Sequence, residues 1–385
     1  MAQTHVAGGR DGLVIGVDAS RNRSGGARAH LVGILEGLEP QRHGIAQVHV
    51  WAYAELLEAL PERHWLVKHH APALERSLPH QLLWQAFSLA RELKEQACDI
   101  LFTTDASTLC RFKPMVTLSQ DLLSYEPGVM KMFGMGYQRL RLWAILYLQN
   151  RAFRLSDGVI FLTRYTGELI QRSCGHLSNV AYIPHGVDER FRHVAPAAWP
   201  SSGERSIRCM YVSPILEYKH QESVVEAFGR LRDKGLDVQL HLVGGGEGEA
   251  LQSLLAKMDA VDPERRFVHY AGPVPYDQLP AQLAQADLFV FASSCETFGI
   301  TLLEAMSAGL PIACSSRSSL PETLADAGVY FDPEDPFSIA DAIERIIDDN
   351  SLRAHISARA KHLAEQYSWR RCAAETFGFI AQAPI

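Results

Sequence analysis

The chain has 385 residues, which at about 150 residues per domain points to two domains or three. Apolar residues make up 47% and charged residues 21%, a globular composition that excludes disorder, collagen and coiled coil as its main character. With 37 Lys and Arg against 44 Asp and Glu the net charge is −7, so a nucleic-acid binder working through its overall field is excluded and no nucleic-acid partner is expected.

Seven cysteines lie at 98, 110, 174, 209, 295, 314 and 372, an odd number without a CxxC pair, so reduced thiols in a cytoplasmic setting are expected. The opening MAQTHVAGGRDG is polar and lacks the apolar centre of a secretory signal. The apolar run Leu142–Leu148 is far below the roughly 20 residues that cross a bilayer, so membrane contact is expected to be peripheral, at the inner face.

Short apolar runs alternate with helical stretches along the chain. LVIGVD (13–18) predicts a buried strand, followed by a glycine turn and the helix SGGARAHLVGILEGL. Further strands are expected at 46–52, 99–105, 114–119, 157–163 and 180–185, with helices over 82–96 and 130–155. His69 and His70 are neighbours in a strand and so point apart, with a surface role as the default. VAPAAWPSSGERS (194–206), rich in Pro, Ala and Ser, predicts a linker. The alternation then resumes with strands at 207–213, 237–244, 266–272, 287–293 and 310–316, and the tail from Pro336 is helical. The expected fold class is α/β, two Rossmann-like, doubly wound domains facing a cleft. The expected limits are 1–193, the linker 194–206, 207–366, and a last helical segment 367–385.

Ligands of such sheets gather at the carboxyl ends of the strands. The strongest constellation there is SSCETFGITLLEAMSAGLP (293–311). Glu296 lies in a turn, a helix begins near Gly299, and Glu304 sits inside that helix. Gly299 removes a side chain where backbone must approach a ligand, and the amides of Ile300, Thr301 and Leu302 then face an anion. Glu296 is placed to accept hydrogen bonds from sugar hydroxyls and Glu304 to reach a ribose. The alternative is an ordinary helix with an acidic residue at its favourable end.

This segment resembles the donor-site signature of glycosyltransferase family 4, with E-x-F-G at its start and E-A-M-x-x-G-x-P at its end. The resemblance extends to the N-terminal glycine loop, YIPHGVD (182–188), YKHQESVVEAF (218–228), HLVGGGEGEAL (241–251) and LPETLADAGVYFDPEDP (320–336). It implies the GT-B fold, retaining transfer from a nucleotide diphosphate sugar, and a last helix that crosses back to the first domain, matched by YSWRRCAAETFGFI (367–380). It implies no cofactor and no bound metal, and no HExxH or zinc spacing is present. It also assigns the diphosphate to Lys219.

Many members carry an arginine six residues before that lysine, where this chain has Ser213, and a histidine in the H-D pair where it has Gln120–Asp121. Helix-start amides at Gly299–Leu302 and Gly25–Gly26, or an arginine such as Arg317, are the expected substitutes for the missing cation. Asp121 is a candidate catalytic group or a helix-capping aspartate. Gln120 hydrogen-bonds but does not carry a proton at neutral pH. Val274, in AGPVP, resembles the segment that meets the base, and GGGEG (244–248) shapes the nucleotide pocket. His185, in place of a common asparagine, is expected to be a structural residue at the hinge.

Residues 131–154 hold five cations and no acid, with Tyr137, Trp143 and Tyr147 interleaved. Three readings stand: an anionic membrane surface, a charged lipid-linked acceptor, or a core helix with a basic edge. The expected activity is transfer of a hexose to a saccharide or lipid-linked saccharide in surface polysaccharide synthesis. A nucleotide-sugar epimerase and a non-catalytic binding subunit are the alternatives, and fold alone does not separate them.

Overall fold

In a computed structural model of the chain, residues 12–23, 25–134, 136–201 and 203–384 are described. The polar opening segment up to residue 11 lies outside them. Two parallel sheets carry the architecture. The first has seven strands, β1 (Leu13–Asp18), β2 (Ile45–Ala52), β3 (Leu66–His70), β4 (Ile100–Thr103), β5 (Met115–Leu118), β6 (Gly158–Phe161) and β7 (Val180–Tyr182), in the order β3-β2-β1-β4-β5-β6-β7. The second has six, β8 (Ile207–Val212), β9 (Val238–Val243), β10 (Val268–Gly272), β11 (Leu288–Phe291), β12 (Ile312–Ser315) and β13 (Val329–Phe331), in the order β10-β9-β8-β11-β12-β13.

Each sheet reverses its winding beside its first strand, so each has a crevice at the carboxyl ends of its central strands. The central strands are covered by helices on both faces, which is why β4, β5, β11 and β12 are buried at every position. That double burial leaves uninterrupted apolar runs.

Three expectations are corrected. The helix expected over 130–155 is two helices, Val129–Met132 and Tyr137–Leu155, because Gly134 takes a left-handed φ of 59° and turns the chain between them. The helix expected over 82–96 begins at Leu78 and contains a π turn at Trp84–Ser88. His69 is half-buried and not a free surface side chain: its ring stacks on Trp51 at 4.4 Å and shares a 2.8 Å hydrogen bond with His49.

The helix Trp369–Ala381 packs on the first domain's helix Gly25–Glu36. A Cβ at Gly33 would stand 2.2 Å from the Trp369 ring, so the glycine lets the indole sink between the domains. Other contacts clamp the domains on the opposite side. Glu322 accepts from the Arg164 and Tyr165 amides at 2.8 and 2.9 Å, capping the first turn of the helix Arg164–Cys174. Ser318 donates to Glu126 at 2.8 Å. The hydroxyls of Thr163 and Thr166 donate to the Thr297 carbonyl at 3.0 and 3.2 Å.

Candidate functional site

Two helix tips meet in the cleft. Gly299 holds φ at 86°, a conformation that costs other L-residues about 1–2 kcal/mol, and the helix Ile300–Ala308 starts directly after it. The first return bond of that helix runs from the Leu303 amide to the Gly299 carbonyl at 3.2 Å. The amides of Ile300, Thr301 and Leu302 therefore have no partner within the helix. Across the gap Gly25 and Gly26 open the helix Gly25–Glu36, and a Cβ on Gly26 would lie 3.5 Å from the Ile300 side chain. Two helix N-termini, each with partial positive charge, thus converge on one space.

That space is a cavity of about 340 Å³ lined by Gly25, Gly26, Gln120, His185, Ser213, Lys219, Glu296, Thr297, Gly299, Ile300 and Thr301. Lys219 is placed by backbone. The turn Glu217–Lys219 ends in a left-handed His220, the Tyr211 hydroxyl donates to the Lys219 carbonyl at 2.6 Å, and the Ser294 amide donates to the Tyr218 carbonyl at 2.9 Å. The last bond ties the lysine turn to the loop that carries Glu296. The Lys219 ammonium donates to the Glu296 carboxylate, with side chains 9% and 15% exposed. The two partners come from loops after different strands, and because the pair is nearly buried, losing either one would leave the other charge uncompensated.

Glu304 lines a second, adjoining cavity of about 560 Å³, which shares Gly25, Gly26, Ile300 and Thr301 with the first and adds Asp188, Arg190, Tyr276 and Trp369. The Tyr276 hydroxyl donates to Glu304 Oε1 at 2.8 Å, while Oε2 is buried without a partner. Burial raises the carboxyl to a pKa of about 8 against the opposing pull of the Tyr276 hydrogen bond, so the group is largely protonated at neutral pH.

His185 and His30 share a buried Nδ1–Nδ1 hydrogen bond of 2.8 Å beneath the cavities, edge-on to Phe298 and Trp369. Burial holds His30 down to about 3 and His185 well below its usual value, so both rings are neutral.

The remaining expected residues fall elsewhere. Leu302 contributes only its amide, because its side chain is buried in the core. Ser213 lines the cavity, but its hydroxyl donates to its neighbour's carbonyl, Pro214 O, at 3.1 Å. Arg317 does not replace the missing cation: it is exposed and paired with Asp332 at 2.9 Å. Val274 packs on the hydrophobic core, outside the lining of both cavities. Asp121 accepts from the Leu123 amide at 3.0 Å and from Gln149 at 3.2 Å, leaving the neighbouring Gln120 to line the cavity. Tyr276, His30, Arg190 and Trp369 are not expected from sequence; Tyr276, Arg190 and Trp369 reach the site from other elements, and His30 lies one turn along the helix from Gly26. Among the described residues no group of three or more His, Cys, Asp or Glu is arranged to hold a metal ion.

Residues 24–191 match the model of Glycosyltransferase Family 4 and residues 200–363 that of Glycosyl transferases group 1. Among curated proteins, the chain is 42% identical over 110 residues to O-antigen chain mannosyltransferase B of Escherichia coli, covering 29% of each chain. It is 31% identical over 263 residues to the GDP-mannose-dependent alpha-(1-6)-phosphatidylinositol monomannoside mannosyltransferase of Mycobacterium tuberculosis, covering 62% of this chain and 66% of that one. The matches thus span between about a third and two thirds of these relatives' length.

Among solved structures, sucrose-phosphate synthase from Thermosynechococcus elongatus superposes with a TM-score of 0.77 at 18% identity, covering 94% of this chain and 97% of that one. Anabaena HepE in complex with UDP-glucose gives 0.69 at 19% identity, covering 94% and 99%. These likenesses carry the fold, two Rossmann-like domains of the GT-B type. The paired family matches on the two halves, laid over two parallel sheets that meet at a glycine-opened helix tip, identify the chain as a member of glycosyltransferase family 4.

Proposed function

We propose that the protein is a retaining glycosyltransferase that moves a hexose from a nucleotide diphosphate sugar to the hydroxyl of a saccharide or lipid-linked saccharide. The observation that carries this is the convergence of two helix N-termini and the Lys219–Glu296 pair on one interdomain cavity. A diphosphate fits two tips beside one ammonium, and a neutral ligand would leave both tips unanswered. The mannosyltransferases among the relatives make GDP-mannose the first donor to test, and the O-antigen enzyme favours a surface polysaccharide as the setting.

In this reading the amides of Ile300–Leu302 and the Lys219 ammonium hold the diphosphate. Glu296 accepts from hydroxyls of the donor sugar, and Glu304 meets the ribose in the adjoining cavity. The bond from the anomeric carbon to the phosphate oxygen breaks, and the bond to the acceptor oxygen forms on the same face. The acceptor's proton passes to the departing phosphate oxygen, so no protein base is required. The carboxylate of Asp121, occupied by Leu123 and Gln149, is in keeping with that. Catalysis is then positioning and charge stabilisation inside a closed cleft. A reducing, cytoplasmic compartment is in keeping with seven buried, unbridged cysteines.

The test is a thermal-shift panel of GDP-, UDP- and ADP-sugars, followed by mass spectrometry of products with candidate acceptors. Donor conversion without acceptor would favour an epimerase. Donor binding without transfer or hydrolysis would make the chain a binding subunit.

A further inference from the structure

The helix Tyr137–Leu155 buries Leu142, Gln149, Ala152 and Phe153. At 100° per residue these four share one face. The opposite face carries Leu140, 69% exposed, Trp143, 54%, and Tyr147, 71%, with Tyr137 exposed at its start. Between Glu126 and Asp157 the chain contains five cations and no acid, in a protein of net charge −7. Lys131, Arg141 and Arg154 of these are exposed.

A second helix repeats the pattern. Leu78, Leu83 and Phe87 are exposed, Phe87 at 76%, and the chain holds no acid between Glu75 and Glu92. The buried faces of the two helices meet the same loop, where Gln85 accepts from the Leu109 amide at 3.2 Å and Gln149 donates to Ser107 at 3.4 Å, so both helices belong to the same part of the first domain. Large apolar side chains gathered along helix faces are unusual on a soluble surface, and Trp and Tyr among cations suit the boundary between lipid headgroups and acyl chains.

We propose that this surface of the first domain docks on an anionic phospholipid bilayer. The aromatic and leucine side chains enter the headgroup boundary, and Lys131, Arg141 and Arg154 meet the lipid phosphates. The occupant is chosen by charge: an acid-free, five-cation stretch on an acidic protein complements a negative surface and would repel other copies of itself. The docking has a consequence for the transferase reading, and rests on that reading only there. Gln149 is bonded to Asp121, beside Gln120 of the donor cavity, and Trp143 lies six residues earlier, about 9 Å along the axis. An acceptor held in the bilayer by a lipid tail would present its sugar at the mouth of the cleft.

The test is co-sedimentation of the full chain with vesicles of phosphatidylcholine alone or mixed with phosphatidylglycerol. Binding is expected only to the mixed vesicles, and to fall with added salt. Arg141→Glu should weaken it by more than about fivefold, the loss expected for removal of a single cation. Trp143→Ser with Tyr147→Ser should abolish most of it, and Phe87→Ser should lower it. Thermal stability and donor binding should stay unchanged in all of them, since these side chains face solvent. Absence of binding to mixed vesicles, binding untouched by the Trp143 and Tyr147 changes, or a wild-type dimer that those changes convert to monomer would overturn the proposal. Vesicle binding without sugar transfer would instead sink the transferase reading and leave this one standing.

Discussion

Glu304→Gln is expected to make the protein more stable and worse at holding its donor. Glu304 is 1% exposed, and burial raises its pKa from the ordinary 4.5 to about 8. The unfolded chain at pH 7 therefore carries an ionised carboxylate where the folded chain carries a neutral acid. Folding takes up a proton over the interval between the two values, so stability falls as pH rises from about 4.5 to about 8. At pH 7 the pH lies about 2.5 units above the unfolded pKa and still below the folded one, which amounts to a cost of about 3 kcal/mol. Glutamine has nearly the same shape, keeps an oxygen for the Tyr276 hydroxyl, and never ionises.

The variant should accordingly gain up to about 3 kcal/mol at pH 7, a rise of about 6–12 °C in the melting temperature of a domain this size. The gain should vanish near pH 4, where both states of the wild type are protonated. Urea denaturation of both proteins from pH 4 to 8 reads it directly. Donor titration supplies the second half. Ribose hydroxyls that donate to an ionised Glu304 favour the charged form, so wild-type affinity should rise with pH up to about 8 while the variant stays flat and weaker. Equal stability of the two proteins at pH 7, or a difference independent of pH, would refute the idea that burial holds this carboxyl neutral. A donor affinity unaffected by the change would remove Glu304 from the site.

Lys219→Met should cost about 3 kcal/mol of stability, because it leaves the Glu296 charge unpaired in a nearly dry place, and Lys219→Met with Glu296→Gln should recover most of it in a double-mutant cycle. The same lysine change should weaken donor binding about tenfold to hundredfold by loss of a charge-assisted bond, measured by calorimetry. Gly299→Ala should lose about 1–2 kcal/mol and donor affinity together, since its Cβ would stand 3.0 Å from Leu320. Gly309→Ala, at a similar φ of 75° but against the flexible Lys361, should lose stability alone. Relative to His30→Gln, the wild type should lose about 2 kcal/mol between pH 7 and pH 5 in urea titrations. His30 stays neutral in the fold down to about pH 3 while the unfolded chain protonates near 6.5, so stability drains away as the pH falls.

The strands were legible because burial on both faces leaves continuous apolar runs such as Leu288–Phe291, and punctuation by glycine marked the helix tips at Gly25 and Gly299. What escaped was set by contacts far apart in sequence or by very short elements. The break between Met132 and Tyr137 lay inside a pattern that reads as helical on either side, with only Gly134 and Gly136 to announce it. The histidine pair joins positions 155 apart, and the Tyr276 partner of Glu304 is 28 away on another turn; neither spacing has a local signature. Val274 was singled out by likeness to relatives, and loop position after a strand did not suffice to bring its side chain to a cavity.

The loop that bears Glu296 belongs by sequence to the second domain but is held by both. Thr297 receives two hydroxyls from the first domain, Ser318 receives the Glu296 amide and donates to Glu126, and Thr323 donates to the Phe298 carbonyl at 2.9 Å. Glu126 is itself nearly buried and also takes the Tyr165 hydroxyl at 2.5 Å, so its carboxylate joins the two domains within two bonds of the candidate sugar-binding residue. Each of these bonds is modest by itself, about 1 kcal/mol. Their geometry matters more than their sum, because opening the cleft on this side would strip the Thr297 carbonyl of both first-domain hydroxyls and break the Ser318–Glu126 bond, while the partners of Glu296 and Phe298 stay within the second domain. The left-handed glycine and the helix tip after Thr297 are therefore tied to the domain interface through that residue, while the Lys219–Glu296 pair, with both partners in the second domain, is held within that domain at the wall of the cavity.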